Sequence, residues 1–230
     1  MASVAQRRDR TEHRWPAVGS VLFALALYAL LPSSFLPLFR YSVVAVCALL
    51  LIPMVAMNPV RLTRQTPWSR RFSIALTVVL AVANHVAVVQ LIIQLLHAKK
   101  DDSGTLLLAA AQVWLTLVVT FALIYWEMDR GGPVVRTTMP RAELPPADIR
   151  FPQDEDGDAV VEVAKGSSAR SDWTANFVDY AYFALSNSMA FSPPDAMPLS
   201  GRVKILVGLQ AFVAYVILVL VIARAVSLLG

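Results

Sequence analysis

Apolar residues run along this chain in long uninterrupted stretches rather than in short alternating ones, and that pattern predicts helices in lipid. The segments are Ala17 to Leu31, extending toward Phe39, then Tyr41 to Met57, Ser73 to His97, Thr105 to Trp126, Thr174 to Ser192 and Val203 to Leu229. A helix rises about 1.5 Å per residue and a hydrocarbon core is about 30 Å thick, so the first two are short for crossings and the third is the longest before the C-terminal span. Pro32 and Pro37 predict a tight interfacial turn between the first pair, and the AKKDDSG stretch predicts a helical hairpin from the second. Residues 129–172 switch to Gly, Pro, Ser and charge, with five prolines from Pro133 to Pro152. This reads as the one extensive solvent-exposed segment. The expected division is a four-span region over 1–128, a polar loop over 129–172, and a final hairpin over 173–230.

Composition agrees with that pattern. The chain of 230 residues is 57% hydrophobic and 16% charged, with mean hydropathy +0.59. Its solvent is mostly lipid, and nothing in it points to nucleic acid or a cofactor. Net charge is only +4, so the positions of the arginines matter more than their number. Arg61, Arg64, Arg70 and Arg71 stand in a loop without an acidic residue, which the positive-inside rule puts in the cytoplasm. The N-terminus, with Arg7, Arg8, Arg10 and Arg14, agrees. No cleaved signal peptide is expected, because no small-residue cleavage site closes the first apolar run. The single cysteine, Cys47, excludes an intrachain disulfide and a cysteine metal cage, and reads as a small packing group.

The polar residues inside the spans carry what functional signal there is. Gln90, Gln94 and His97 share one helical face, and Gln112, Thr116 and Thr120 share another. Two such stripes either line a hydrated path or bond neighbouring helices, and the second use is the commoner. His85 has no carboxylate nearby and no second His one turn away, which favours a packing role over proton relay or metal binding. The acidic run Asp154 to Asp158 fails as a calcium loop: with Gly157 at the glycine position, the first ligand would be Pro152 and the twelfth Val163. No nucleophile and base, phosphate loop or zinc spacing is present, which points away from an enzyme and from any metal site.

The richest stretch is Trp173 to Gly230. Thr174 to Ser192 carries Asn176, Asp179, Ser186, Asn187 and Ser188, which lipid penalises unless protein or water solvates them. Pro193 and Pro194 then stop any helix. Asp179 is the one acidic residue of the segment. It is either a carboxylate on a pathway or an interfacial group in the first turn of a helix. Arg202 and Lys204 read as too near the turn to pair with it, and Arg224 as too far beyond.

Tyr182 to Pro198, followed by an apolar helix, resembles the pore helix, filter and inner helix of the potassium-channel pore-loop superfamily. Tyr182-Phe183 and Asp195-Ala196-Met197-Pro198 match in spacing. Phe191, Ser192, Pro193 and Pro194 stand where the filter glycines belong, and proline cannot turn consecutive carbonyls toward an ion. Over nearly its whole length the chain also resembles a family of uncharacterised bacterial multi-span integral membrane proteins, through Phe151-Pro152-Gln153-Asp154, the Asp179 to Phe183 segment and Met189-Ala190-Phe191. The resemblances imply an all-α polytopic membrane protein of the bacterial inner membrane. It would have five or six hydrophobic segments and a proline-broken, pore-loop-like C-terminal hairpin. The charge rule favours a full crossing by 174–192, six spans and both termini inside. The expected activity is channel-like or transporter-like, with a non-conducting accessory protein as the alternative. Candidate pathway residues are Asp179, Ser186, Asn187, Ser188, Phe191, Ser192 and Asp195. Candidate partners are the lipid bilayer, further copies of the chain and a monovalent ion.

Overall fold

The computed structural model describes residues 11–32, 34–97, 103–189 and 195–229. Helix α1 spans Trp15–Ala29, α2 Pro37–Met57, α3 Pro67–His97 and α4 Ser103–Met128. Three short helical turns follow (Pro133–Thr138, Val161–Ala164 and Ser168–Ser171). Then come α5, Phe177–Ser188, and α6, Gly201–Leu229. The described residues are therefore 77% helical, with almost no sheet. The exception is a two-stranded antiparallel ribbon in which β1 (Ile149–Arg150) pairs with β2 (Met197–Pro198).

Four helices (α2, α3, α4 and α6) are long and apolar enough to cross a membrane, and α1 is a shorter apolar helix. The chain is a helical membrane protein. The 12 residues of α5 extend only about 18 Å, against a core of about 30 Å. Its ends are firm: Asn176 caps the start, and Met189 turns to extended backbone after the last turn. The helix is thus shorter than a crossing, and its polar second half limits how far lipid alone can hold it; residues 190–192 of the expected 174–192 span lie outside the described residues.

α4 is the centre of the bundle, packed against α1, α3, α5 and α6. Its buried residues lie all around the helix, with Ala109, Ala110 and Ala122 letting neighbouring backbones approach closely. α2 lies outside, against α1 and α3. Large apolar side chains on α2, α3 and α6, such as Leu49, Val82 and Ile205, are exposed, as expected of groups whose solvent is lipid.

One end of the bundle gathers the start of α1, the loop after α2, the start of α3 and the end of α4. Leu62 N–H bonds Glu12 O at 3.0 Å, and Arg14 N–H bonds Val60 O at 3.1 Å. Arg70 reaches the carbonyl of Gly131. At the opposite end Gln94 ties α3 to Ser34 in the α1–α2 turn. The loop of 129–172 departs from the reading as solvent-exposed: Asp129, Arg136, Asp148, Ile149 and Phe151 are buried. Chain reversal after α4 uses left-handed backbone at Arg130, Gly131 and Gly132. A Cβ on Gly132 would meet the Glu127 carbonyl at 3.3 Å, and one on Gly131 would meet Val135 at 3.0 Å, so glycine is required twice. Arg130 lacks that freedom; its guanidinium is held by Asp154 at 2.7 Å.

Candidate functional site at the basic end and the α5–α6 hairpin

The most heavily bonded group of polar side chains lies where the loop after α4 meets α5. Arg136 is fully buried. Its Nε donates to Ala175 O at 2.9 Å, one Nη to Trp126 O at 2.7 Å, and the other faces Glu12 at 3.4 Å. The guanidinium also stands over the Tyr180 ring, 4.7 Å from its centroid. Glu12 accepts from Trp126 Nε1 at 3.0 Å and from the Phe177 amide, which opens α5. Burial pushes the Glu12 carboxyl above its usual range, offset in part by the Arg136 charge and those two donors.

Asp129 is the second node. One carboxylate oxygen accepts the amides of Asp148 and Ile149 at 2.8 and 3.3 Å, and the other accepts the Tyr180 hydroxyl at 2.6 Å. Asp148 in turn holds the Arg202 guanidinium by a two-pronged pair, Nε at 2.9 Å, and its carbonyl accepts the Leu199 amide at 2.8 Å. Burial pushes the Asp148 carboxyl up, but hydrogen bonds from Arg202 and the Ser200 hydroxyl, with the Arg202 charge, hold it below the usual aspartate range. Asp129 and Asp148 together thereby join the start of α5 to the start of α6.

Deeper in the bundle, Tyr125 donates to Gln210 Oε1 at 2.7 Å. The Gln210 amide donates to Ala184 O at 2.6 Å and to Ser188 Oγ at 2.8 Å. Tyr125, Gln210 and Ser188 are all buried. Each glutamine group has a partner, so Gln210 bonds α4, α5 and α6 together, while Asn187 Nδ2 beside it is buried without a hydrogen-bond partner among the described residues.

Of the residues singled out from sequence, Ser186, Asn187 and Ser188 are buried together on α5, and Asn187 lies against the Tyr125 hydroxyl. Asp179 is in the first turn of α5, accepting from the Asn176 amide at 2.8 Å, while the Asn176 side chain accepts from Val178 N at 2.9 Å. That is a capping box. Asp195 is exposed just before β2. Phe191 and Ser192, with the Pro193-Pro194 break, lie outside the described residues.

The two polar stripes do not meet. Thr120 and Thr116 donate to the carbonyls of Thr116 and Gln112, at 2.7 and 2.8 Å, within α4 itself. Gln94 holds Ser34, and Gln90 borders a groove with His85, Phe121 and Leu209. Midway along the pair, α3 is bonded to α4 instead by Asn84, to Val113 O at 3.1 Å. His85 Nδ1 contacts the Ala81 carbonyl at 2.7 Å, a local packing role. Asp154 is no free member of a solvated run: it takes Arg130, the Ser168 hydroxyl at 2.7 Å and the Phe151 amide at 3.1 Å.

Sequence reading missed Glu12, Asp129, Arg136, Asp148 and Tyr180. Their partners lie up to 165 positions away, as between Glu12 and Phe177. The available signal was Arg136 in a proline-rich stretch with no acidic neighbour within six residues. No protein-family model, curated protein or solved structure matches this chain.

Proposed function

We propose that this chain is a pore-loop-type membrane protein, copies of which surround a path for small monovalent cations. The observation that carries the reading is the return of the chain between Asn176 and Leu199 to the end of the bundle it left. The Phe177 amide is on Glu12, Tyr180 is on Asp129, and Leu199 and Arg202 are on Asp148, itself bonded to Asp129. Between those anchors α5 dips until Ser188 meets Gln210, nine residues or about 13 Å into α6. A helix that ends inside the bilayer turns its unpaired carbonyls and the negative end of its dipole there, which favours a cation over an anion. By the charge rule the dip starts from the cytoplasmic side, five segments cross, and the C-terminal end of α6 lies opposite.

Assembly of several copies is supported by α6. Ile205, Phe212, Val219 and Val226 are exposed at seven-residue intervals, the spacing of a helix–helix seam. Purified protein in liposomes should pass K⁺ or Na⁺ down a gradient and exclude Cl⁻. Absence of flux from folded, assembled protein rejects the proposal. Kinship with the uncharacterised multi-span family, a bacterial inner-membrane location and a non-enzymatic role belong to the same reading.

A second reading, a non-conducting scaffold, has its own support. Tyr125, Gln210 and Ser188 satisfy one another inside a single copy, as helix glue does.

A further inference from the structure

At the basic end, a cavity of about 50 Å³ opens between the start of α1, the loop after α2, the first turn of α3 and the end of α4. A single water needs roughly 10–15 Å³ of such space. Its wall includes Arg14, Arg64, Arg70, Asn58, Ser69 and Glu127. Three guanidiniums thus face one carboxylate, and that carboxylate already accepts the Ser73 hydroxyl. Arg14 is 5% exposed, gives one N–H to Asn58 O at 3.3 Å, and its Nε is buried with no partner. Arg70 gives one Nη to Gly131 O. Arg64 is exposed, and among the described residues only its backbone is bonded, to Asn58. The cavity is therefore walled by cationic donors with unused N–H groups, held by a backbone that is itself fixed. Trp126 on the same wall marks the interfacial belt, the depth of lipid phosphates.

We propose that this cavity binds the phosphate group of an anionic molecule, through Arg14 and Arg64. The shared chemistry is a tetrahedral anion accepting from fork-shaped guanidiniums. Basic pockets between helices at the cytoplasmic face suit phospholipid headgroups for this reason. The reading is independent of ion conduction, since the cavity lies apart from the α5–α6 network.

The test uses the full chain in detergent, with native mass spectrometry to count retained lipid. Phosphatidylglycerol should be kept in preference to phosphatidylcholine, at one per chain. Arg64→Gln should weaken retention about fivefold. Arg71→Gln, on the same basic segment but outside the cavity, should not change it. Displacement by millimolar inorganic phosphate in wild type assigns the site to free phosphate as well; resistance to it assigns the site to the lipid headgroup. Equal retention by wild type and Arg64→Gln, equal loss in Arg71→Gln, or no retention at all would each overturn the proposal.

Discussion

Arg136 shows what a buried charge does in this molecule. With three backbone or carboxylate acceptors around it, the guanidinium fixes Trp126, Ala175 and Glu12 relative to one another. Arg136→Met leaves Glu12 buried without its cation, and breaking such a pair costs about 3–5 kcal/mol. Thermal unfolding in detergent should show that loss, and Glu12→Gln combined with Arg136→Met should be milder than Arg136→Met alone. A double variant less stable than the single one contradicts the assignment. Asp148 makes a second prediction. Its carboxyl is held below its ordinary value, so its contribution is present above the usual aspartate range and fades as pH falls through it. Glu12 runs the opposite way: its carboxyl is raised, so that contribution is complete at low pH and fades as pH rises through and above the glutamate range. A global melting curve mixes the two, and local hydrogen exchange at residues 197–200 separates them. Protection factors at Met197, Leu199 and Ser200, corrected for the intrinsic pH dependence of amide exchange, should hold down to the usual aspartate range and fall below it in wild type, and should be low throughout in Asp148→Asn. None of these residues was legible as a pair, because sequence spacing reports faces of one helix and not contacts 54 or 124 positions apart.

Among the helices, what lipid dictates was legible and what partners dictate was not. The long spans follow from apolar run lengths alone. The start of α3 was read as Ser73 because Arg70 and Arg71 interrupt the run, yet the helix begins at Pro67. Thr66 and Ser69 bond reciprocally there, 2.9 and 3.1 Å, a local cap that outweighs polarity. α5 shows the converse: the apolar run continues to Phe191, but the helix stops at Ser188. The polar face of 186–188 was visible in the sequence, whereas its partner Gln210 was one glutamine among several. Gln210→Leu should therefore loosen α5 from α6 by about 0.6 kcal/mol, up to ~1.7, since one donor, the Tyr125 hydroxyl, and two acceptors, Ala184 O and Ser188 Oγ, lose their partner. Unfolding in mixed micelles reads that shift; an unchanged or raised midpoint counts against the network. Asp179→Asn should cost under ~1 kcal/mol, because an amide oxygen can still accept from Asn176. If the liposomes conduct and this variant alters selectivity or pH dependence, Asp179 acts on the path as well as in the cap.

For the whole molecule, the central claim is that 176–199 dips and returns rather than crosses. The basic end collects the start of α1, the loop at Leu62, the start of α5 and the ribbon at Met197, and after the ribbon the chain leaves it along α6. The sequence-level expectation of six crossings came from the charge rule, together with a filter stretch that lacks its glycines. The proposed dip rests instead on the tie from Asp129 through Asp148 to Arg202, which no hydropathy window contains. The direct measurement replaces Cys47, itself buried, with Ala and introduces single cysteines at Thr63, Arg170, Leu199 and Ser227, all exposed. A membrane-impermeant thiol reagent is then applied to one side at a time. Thr63→Cys, Arg170→Cys and Leu199→Cys should react from the same, cytoplasmic side, and Ser227→Cys from the other. Labelling of Arg170→Cys and Leu199→Cys from opposite sides would contradict the account.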